Sequence, residues 1–240
     1  MKVKNIDNYE FIEESLKDIE VVFSCAKGNL NFNKNSSSGL ENLDNLKAWF
    51  NVEKVIYLNQ IHSDEIKVYN KFSHDNFIKM DGDALITKEV NVALGVFTAD
   101  CVPVFVYDKK NKVVASIHSG WKGTYSLIVF KTIKKMISDY NSNVKDLMVY
   151  IGPHIGLCCY EVDRDLSNKF TENKVFGDEV VEGNNLNLTL CIKKQCIKLG
   201  VDLENIITED KCTYCCNEEY FSYRRDKTSN RMFSFIVIRN

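Results

Sequence analysis

Apolar residues along this 240-residue chain come in short blocks, and most of those blocks are too brief for helices. Residues 21–23, 54–61, 65–69, 84–87, 92–98, 102–107, 112–118, 147–151, 206–208 and 231–238 run apolar or alternate as strands do. Helical spacing governs fewer stretches. Leu43, Leu46 and Phe50 recur on one face of 41–50, and Phe130, Ile133, Ile137 and Tyr140 share a face of 124–140. Further helices are expected at 163–170 and 188–199, the second stopped by Gly200. The early strands cluster without intervening helices, and the later strands and helices mix. That order predicts an α+β fold with mixed β-sheets packed against helices. Only Pro103 and Pro153 occur, no internal repeat is visible, and the polar run 33–39 reads as a flexible loop too near the N-terminus to divide the chain. A single compact domain spanning 1–240 is expected.

Composition adds exclusions. Lys and Arg number 31 against 33 Asp and Glu, for a net charge of -2, so no global field attracts nucleic acid or an anionic membrane. A bound anion must be caught by a local positive cluster. No apolar run approaches the ~20 residues of a membrane span. The opening residues carry no apolar stretch after their lysines, so no signal peptide is expected and a cytoplasmic location follows. Nine cysteines, an odd number in a chain of this size, read as reduced thiols rather than as a disulfide framework.

The segment from Thr98 to Trp121 concentrates the chemistry. Two apolar stretches flank Asp-Lys-Lys-Asn. If 108–111 form a four-residue loop, Tyr107 pairs with Lys112 and Cys101 falls opposite His118, with Cα atoms ~4.5–5.5 Å apart. A thiolate beside an imidazole is the start of a zinc site. A three-residue loop would place His118 opposite Val102 and make the Cys101 contact diagonal. Pro103 cannot donate to a ladder, which predicts an edge strand or a bulge. The bland alternative is a small buried cysteine and a satisfied core histidine. Gly120 and Gly123, just past the strand end, favour a backbone loop that approaches a ligand. The chain has four histidines. For a third ligand, His62 closes residues 54–62 at the rim of a sheet and is preferred. His154 lies in a Gly-Pro-His-Ile-Gly turn, and His74 sits in a polar loop where it should be solvated. Cys212-Thr213-Tyr214-Cys215, followed by Cys216, has C-x-x-C spacing. A structural zinc there would need a second pair, from Cys158–Cys159 or from Cys191 and Cys196, and ordinary thiols are the expectation.

Six blocks then fall in order: Asn59-Gln60-Ile61-His62-Ser63; Asp81-Gly82-Asp83-Ala84-Leu85-Ile86-Thr87; Thr98-Ala99-Asp100-Cys101-Val102-Pro103-Val104; Ile117-His118-Ser119-Gly120-Trp121-Lys122-Gly123-Thr124; Ile151-Gly152-Pro153-His154-Ile155-Gly156 with Cys158-Cys159-Tyr160-Glu161; and Phe221-Ser222-Tyr223-Arg224-Arg225. Together they resemble the YfiH-type laccase-domain family, also called the polyphenol oxidase or purine nucleoside phosphorylase family. The resemblance implies metal ligands at His62, Cys101 and His118, and zinc as the cofactor, with copper compatible. It also implies phosphorolysis of adenosine, inosine and methylthioadenosine, together with deamination of adenosine. Cys101, Asp100 and His118 become the catalytic candidates, Asp100 as acid, base or support for the site. Lys122, Arg224, Arg225 and Lys27 become candidates for binding substrate or phosphate. The chain departs from the family pattern at a shortened Ser24-Cys25-Ala26-Lys27-Gly28, at Lys122 in place of Arg, at His154, and at Asn230 in place of Gly. A metal-free Cys–His amide hydrolase and a copper-dependent phenol oxidase are the rival readings; four histidines are too few for several coppers.

Overall fold

The apolar blocks form strands that segregate into two six-stranded sheets. The computed structural model describes residues 1–73 and 76–240, so His74 lies outside the described residues. In chain order the elements are β1 (Lys2–Ile6), β2 (Tyr9–Ser15), β3 (Ile19–Ser24), α1 (Ser37–Trp49), β4 (Lys54–Ile56), β5 (Ile66–Val68), β6 (Ala84–Thr87) and β7 (Val92–Thr98). There follow β8 (Val102–Asp108), β9 (Val113–Ser119), α2 (Trp121–Tyr125), α3 (Ile128–Tyr140), β10 (Leu147–Ile151) and α4 (Arg164–Thr171). The chain ends with β11 (Val181–Glu182), β12 (Asn185–Leu186), α5 (Leu188–Leu199), β13 (Ile206–Thr208), α6 (Tyr223–Asp226) and β14 (Met232–Ile238). The first sheet runs β1-β2-β3-β14-β7-β4 and the second β13-β10-β8-β9-β6-β5. Both mix parallel and antiparallel pairs. The fold is α+β, a single domain of mixed sheets and helices.

Side-chain alternation sorts the strands into layers. Leu85, Phe105, Tyr107 and Val114 of the second sheet meet Val21, Phe23, Leu94 and Ile236 of the first in one core between the sheets. Their neighbours Ala84, Ile86, Val104, Val106, Val113 and Ile117 face the other way, against Ile133 and Met136 of α3 and Ile192 of α5. On the outer side of the first sheet, Phe11, Val22 and Phe235 pack on Leu43 and Leu46 of α1. The order is therefore helix, sheet, sheet, helix.

Several expectations need correction. The run 33–39 is not a free loop: Ser36 caps α1 by accepting from the Gly39 amide, and the helix begins at Ser37. The expected helix 124–140 is two helices parted at Leu127, whose φ of 63° is left-handed. Buried Gln195 of α5 bridges the break, donating to the Thr124 carbonyl and accepting from the Phe130 amide, so the groups orphaned there are satisfied. The strand expected at 54–61 stops at Ile56. The N-terminal hairpin β1–β2 escapes the hydrophobic pattern, because β1 is an edge strand with little buried surface and hence little apolar signal. Pro103 sits in a central strand, not at an edge or a bulge. The last β10–β8 pair is Ile151–Val104, so Pro103 stands where that ladder has ended, and only its carbonyl is used, by the Gly152 amide.

Candidate metal centre

The centre forms where β8 begins, β9 ends and the inter-sheet layer opens to solvent. Along β9, Ile117 faces the helices, so His118 faces the same side as Val114. The turn before it has four residues, as expected, but they are 109–112. Asp108 accepts from the Lys110 and Asn111 amides and so closes the turn as the last residue of β8. Asp108 pairs with Val113, and His118 faces Pro103 rather than Cys101. Moving the loop by one residue displaces facing partners by two, an even number. Cys101 and His118 therefore keep a common face as diagonal neighbours.

His62 arrives on a loop, not on a strand. Buried Asp83, just before β6, organises that loop: its carboxylate accepts from the amides of Ile61 (3.3 Å), His62 (3.1 Å) and Ser63 (2.6 Å) and from the Ser63 hydroxyl (2.7 Å). These bonds hold His62 at a left-handed φ of 59°, a conformation that a non-glycine residue adopts at a cost of about 1–3 kcal/mol. Gln60 adds a second anchor, exchanging two hydrogen bonds with the Phe97 backbone in β7. Asp83 also accepts from His118 Nδ1 at 2.8 Å. A carboxylate can only accept, so Nδ1 carries the hydrogen and Nε2 is left for the site. In the sequence Asp83 stands inside a motif block, but nothing in its spacing assigns it this role. Its one signal is an acidic residue immediately before a strand that pairs with the His118 strand.

The donor atoms of His62, Cys101 and His118 all lie within 4.8 Å of one another. Cys101 Sγ is 3.8 Å from His62 Nε2, and the two imidazole rings meet edge-on at 4.9 Å. Zinc binds imidazole and thiolate at ~2.0–2.3 Å, so donors this close can share one ion. Burial opposes ionisation of Cys101, but the His118 and His62 rings outweigh it and bring the thiol down to about 6. Burial opposes a charge on His118 as well, and there the Cys101 thiolate and Asp83 prevail, raising it to about 9. The donor set, with one imidazole already oriented by a carboxylate, fits a soft or borderline divalent cation.

Above these donors opens a cleft of about 440 Å³ whose walls include Lys34, Asn35, Phe97, Tyr223 and Arg231. Lys34 donates to Asn59, and one Arg231 nitrogen donates to the Thr228 and Asn230 carbonyls. Neither cation stands out in the sequence. The cations expected from the family resemblance are absent from the cleft walls. Lys27 pairs with Glu10. Arg225 donates to the carbonyls of Thr213, Tyr214 and Tyr220, a structural clamp. Arg224 donates to the Glu161 carbonyl and lies over the Tyr160 ring. Lys122 lies over Trp121. Asp100, at a left-handed φ of 95°, has both oxygens engaged, by the Thr213 hydroxyl and the Arg224 amide, each at 2.7 Å. Buried His154 is satisfied at both ring nitrogens by Gly152 and Thr189.

Among known proteins, a family model described as multi-copper polyphenol oxidoreductase laccase matches residues 23–239. A purine nucleoside phosphorylase of Clostridium acetobutylicum is 45% identical over 240 residues, 99% of each chain. Another from Borreliella burgdorferi is 33% identical over 92% of each chain. The crystal structure of the hypothetical protein YfiH from Bacillus licheniformis superposes with a TM-score of 0.87 at 25% identity, over 99% of each chain.

Proposed function

The chain belongs to this YfiH-type laccase-domain family, and from that premise we propose that it is a metal-dependent purine nucleoside phosphorylase with zinc held by His62, Cys101 and His118. Adenosine, inosine and methylthioadenosine are its substrates, and it also deaminates adenosine, in the cytoplasm. One observation supports the reading above the others: a single cleft of about 440 Å³ is lined by the three donors and by Lys34 and Arg231. That volume lies within the ~300–1,000 Å³ of small-molecule sites, and the pairing of donors with cations suits a purine nucleoside bound beside a separate phosphate ion.

Bound zinc would supply a Lewis acid that polarises an oxygen of the bound reactants. The rest falls to the chain. Asp83 fixes the tautomer and direction of His118. Lys34 and Arg231 hold phosphate against the ribose, while Tyr223 and Phe97 offer ring faces to the purine. An oxygen of hydrogen phosphate attacks the anomeric carbon, the bond to the purine nitrogen breaks with its electrons on the base, and the base takes up the proton that the phosphate gives up. In deamination, water adds at the amine-bearing carbon and ammonia leaves. Asp100, with both oxygens occupied, positions the Cys101 turn.

Incubation with each nucleoside, with and without phosphate, tests the proposal. Free base and the sugar 1-phosphate (ribose 1-phosphate, or 5-methylthioribose 1-phosphate from methylthioadenosine) should appear only with phosphate, and inosine should form from adenosine without it. Full turnover by His62→Ala and Cys101→Ala proteins would overturn the assigned site. A second reading, a Cys101 nucleophile with His118 as its base acting on an amide, draws on the thiolate–imidazolium pair. Activity that survives metal removal but not thiol alkylation would favour it.

A further inference from the structure

Outside the cleft, four more sulfurs converge. The Sγ atoms of Cys158, Cys159, Cys212 and Cys215 all lie within 4.8 Å of one another. Sequence spacing predicts ordinary thiols here, with Cys191 and Cys196 as an equal source of a second pair. Those two are buried in the α5 core instead. The convergence is built by the backbone. His154 bridges to Cys212, its amide donating to the Lys211 carbonyl and its carbonyl accepting from Thr213. That short parallel contact lays the Cys-x-x-Cys turn beside the turn after Ile155. Gly156 permits the approach: a Cβ there would lie 3.3 Å from both Cys158 Sγ and Cys212 Cβ. The Gly156 amide donates to Cys212 Sγ at 3.2 Å.

We propose that Cys158, Cys159, Cys212 and Cys215 form a structural tetrathiolate site for one zinc-class divalent cation, separate from the cleft. A tetrahedron with Zn–S bonds of ~2.3 Å has sulfurs about 3.8 Å apart. The Cys158–Cys215 separation is 3.7 Å and the Cys159–Cys215 separation 3.2 Å. Four sulfur donors leave no open position, the arrangement of a structural rather than a catalytic ion. An amide donating to a ligating sulfur is the supporting bond such sites use. The ion would tie the turn after β10 to the turn 212–216. The latter carries Thr213, which bonds Asp100 beside Cys101, and its carbonyls hold Arg225. A clamp on the sulfurs therefore sets the approach of the Cys101 turn without touching the cleft.

The test removes the first centre, so that the two sites cannot be confused. The full chain carrying His62→Ala and Cys101→Ser, purified anaerobically, should retain one equivalent of zinc by elemental analysis. Adding Cys212→Ser and Cys215→Ser should remove it, whereas adding Cys216→Ser, outside the cluster, should not. Should Cys212→Ser and Cys215→Ser misfold the chain, the His62→Ala, Cys101→Ser protein with all four cluster cysteines intact still decides. Reconstituted with cobalt, it should show thiolate-to-cobalt charge transfer, which the first centre can no longer supply. Absence of metal from that background, with all four thiols open to alkylation, would overturn the proposal. So would a Cys159–Cys215 disulfide in peptides mapped from the anaerobic protein.

Discussion

At the scale of single residues, Asp83 governs the centre although it binds nothing there. It is 2% exposed and collects hydrogen bonds from both histidine segments. Asp83→Asn keeps the shape but loses the charge and can no longer only accept. Metal affinity should fall about 10–100-fold in chelator competition, as for other groups that orient a ligating histidine. Stability in urea should drop by about 2 kcal/mol, the scale of hydrogen bonds to a buried charge. Unchanged affinity would mean that packing alone orients His118. Cys101 gives a second expectation. In the metal-free chain its thiol titrates near 6, so alkylation by iodoacetamide should rise with pH through about 6 and level off above it, because only the thiolate attacks. Cys25 and Cys196, pushed up to about 12 by burial, should stay unlabelled across the same range. Peptide mapping by mass spectrometry at a series of pH values reads both.

At the scale of elements, the β8–β9 hairpin shows what a sequence can specify. Its loop length and the shared face of Cys101 and His118 were legible, because alternation has a period of two and tolerates an even slip. The register was not, because Asp108 acts as strand end and turn closer at once. The same logic hid the break between α2 and α3: Gln195, some seventy positions away, satisfies it, and no local pattern records that partner. Gly120, which links β9 to α2, was legible as a close-approach position and lends itself to a sharp test. Its φ of -73° suits any residue, so Gly120→Ala carries no backbone strain. A Cβ there would stand 3.0 Å from Cys101 Sγ and 3.0 Å from His62 Cδ2. The substitution should therefore leave the thermal midpoint within a few degrees while lowering metal affinity at least about tenfold, by wedging two ligands apart. A large loss of stability with normal metal content would show that the loop, not the ligand spacing, needs glycine.

At the scale of the molecule, the cleft belongs to no single motif. Its walls come from residues near 33–35, 60–62, 97–101 and 223–231, brought together because β14, the last strand, inserts between β3 and β7. The pairing of Cys101 with His118 was legible from hairpin spacing, whereas His62 joined them mainly through the family resemblance, and the structure brings the three donor atoms within 4.8 Å of one another. The cations on the walls were not legible, because Lys34 lies in a polar run that reads as a loop, and Arg231 passes for the first residue of a strand. Arg224 and Arg225 draw attention as a pair, yet folding spends Arg225 on three carbonyls. A paired substitution separates the two roles. Arg231→Ala should raise the KM for phosphate at least about tenfold, the scale of removing one charge-assisted hydrogen bond, with metal content near that of the parent and only the stability loss of freeing the Thr228 and Asn230 carbonyls. Arg225→Ala should act on stability alone. It strands the carbonyls of Thr213, Tyr214 and Tyr220, which should lower stability by about 1–3 kcal/mol and leave the KM for phosphate in the surviving folded protein close to normal. If instead Arg225→Ala raised that KM selectively and Arg231→Ala did not, the anion would bind on the α6 side, and the cleft wall at Arg231 would have another ligand.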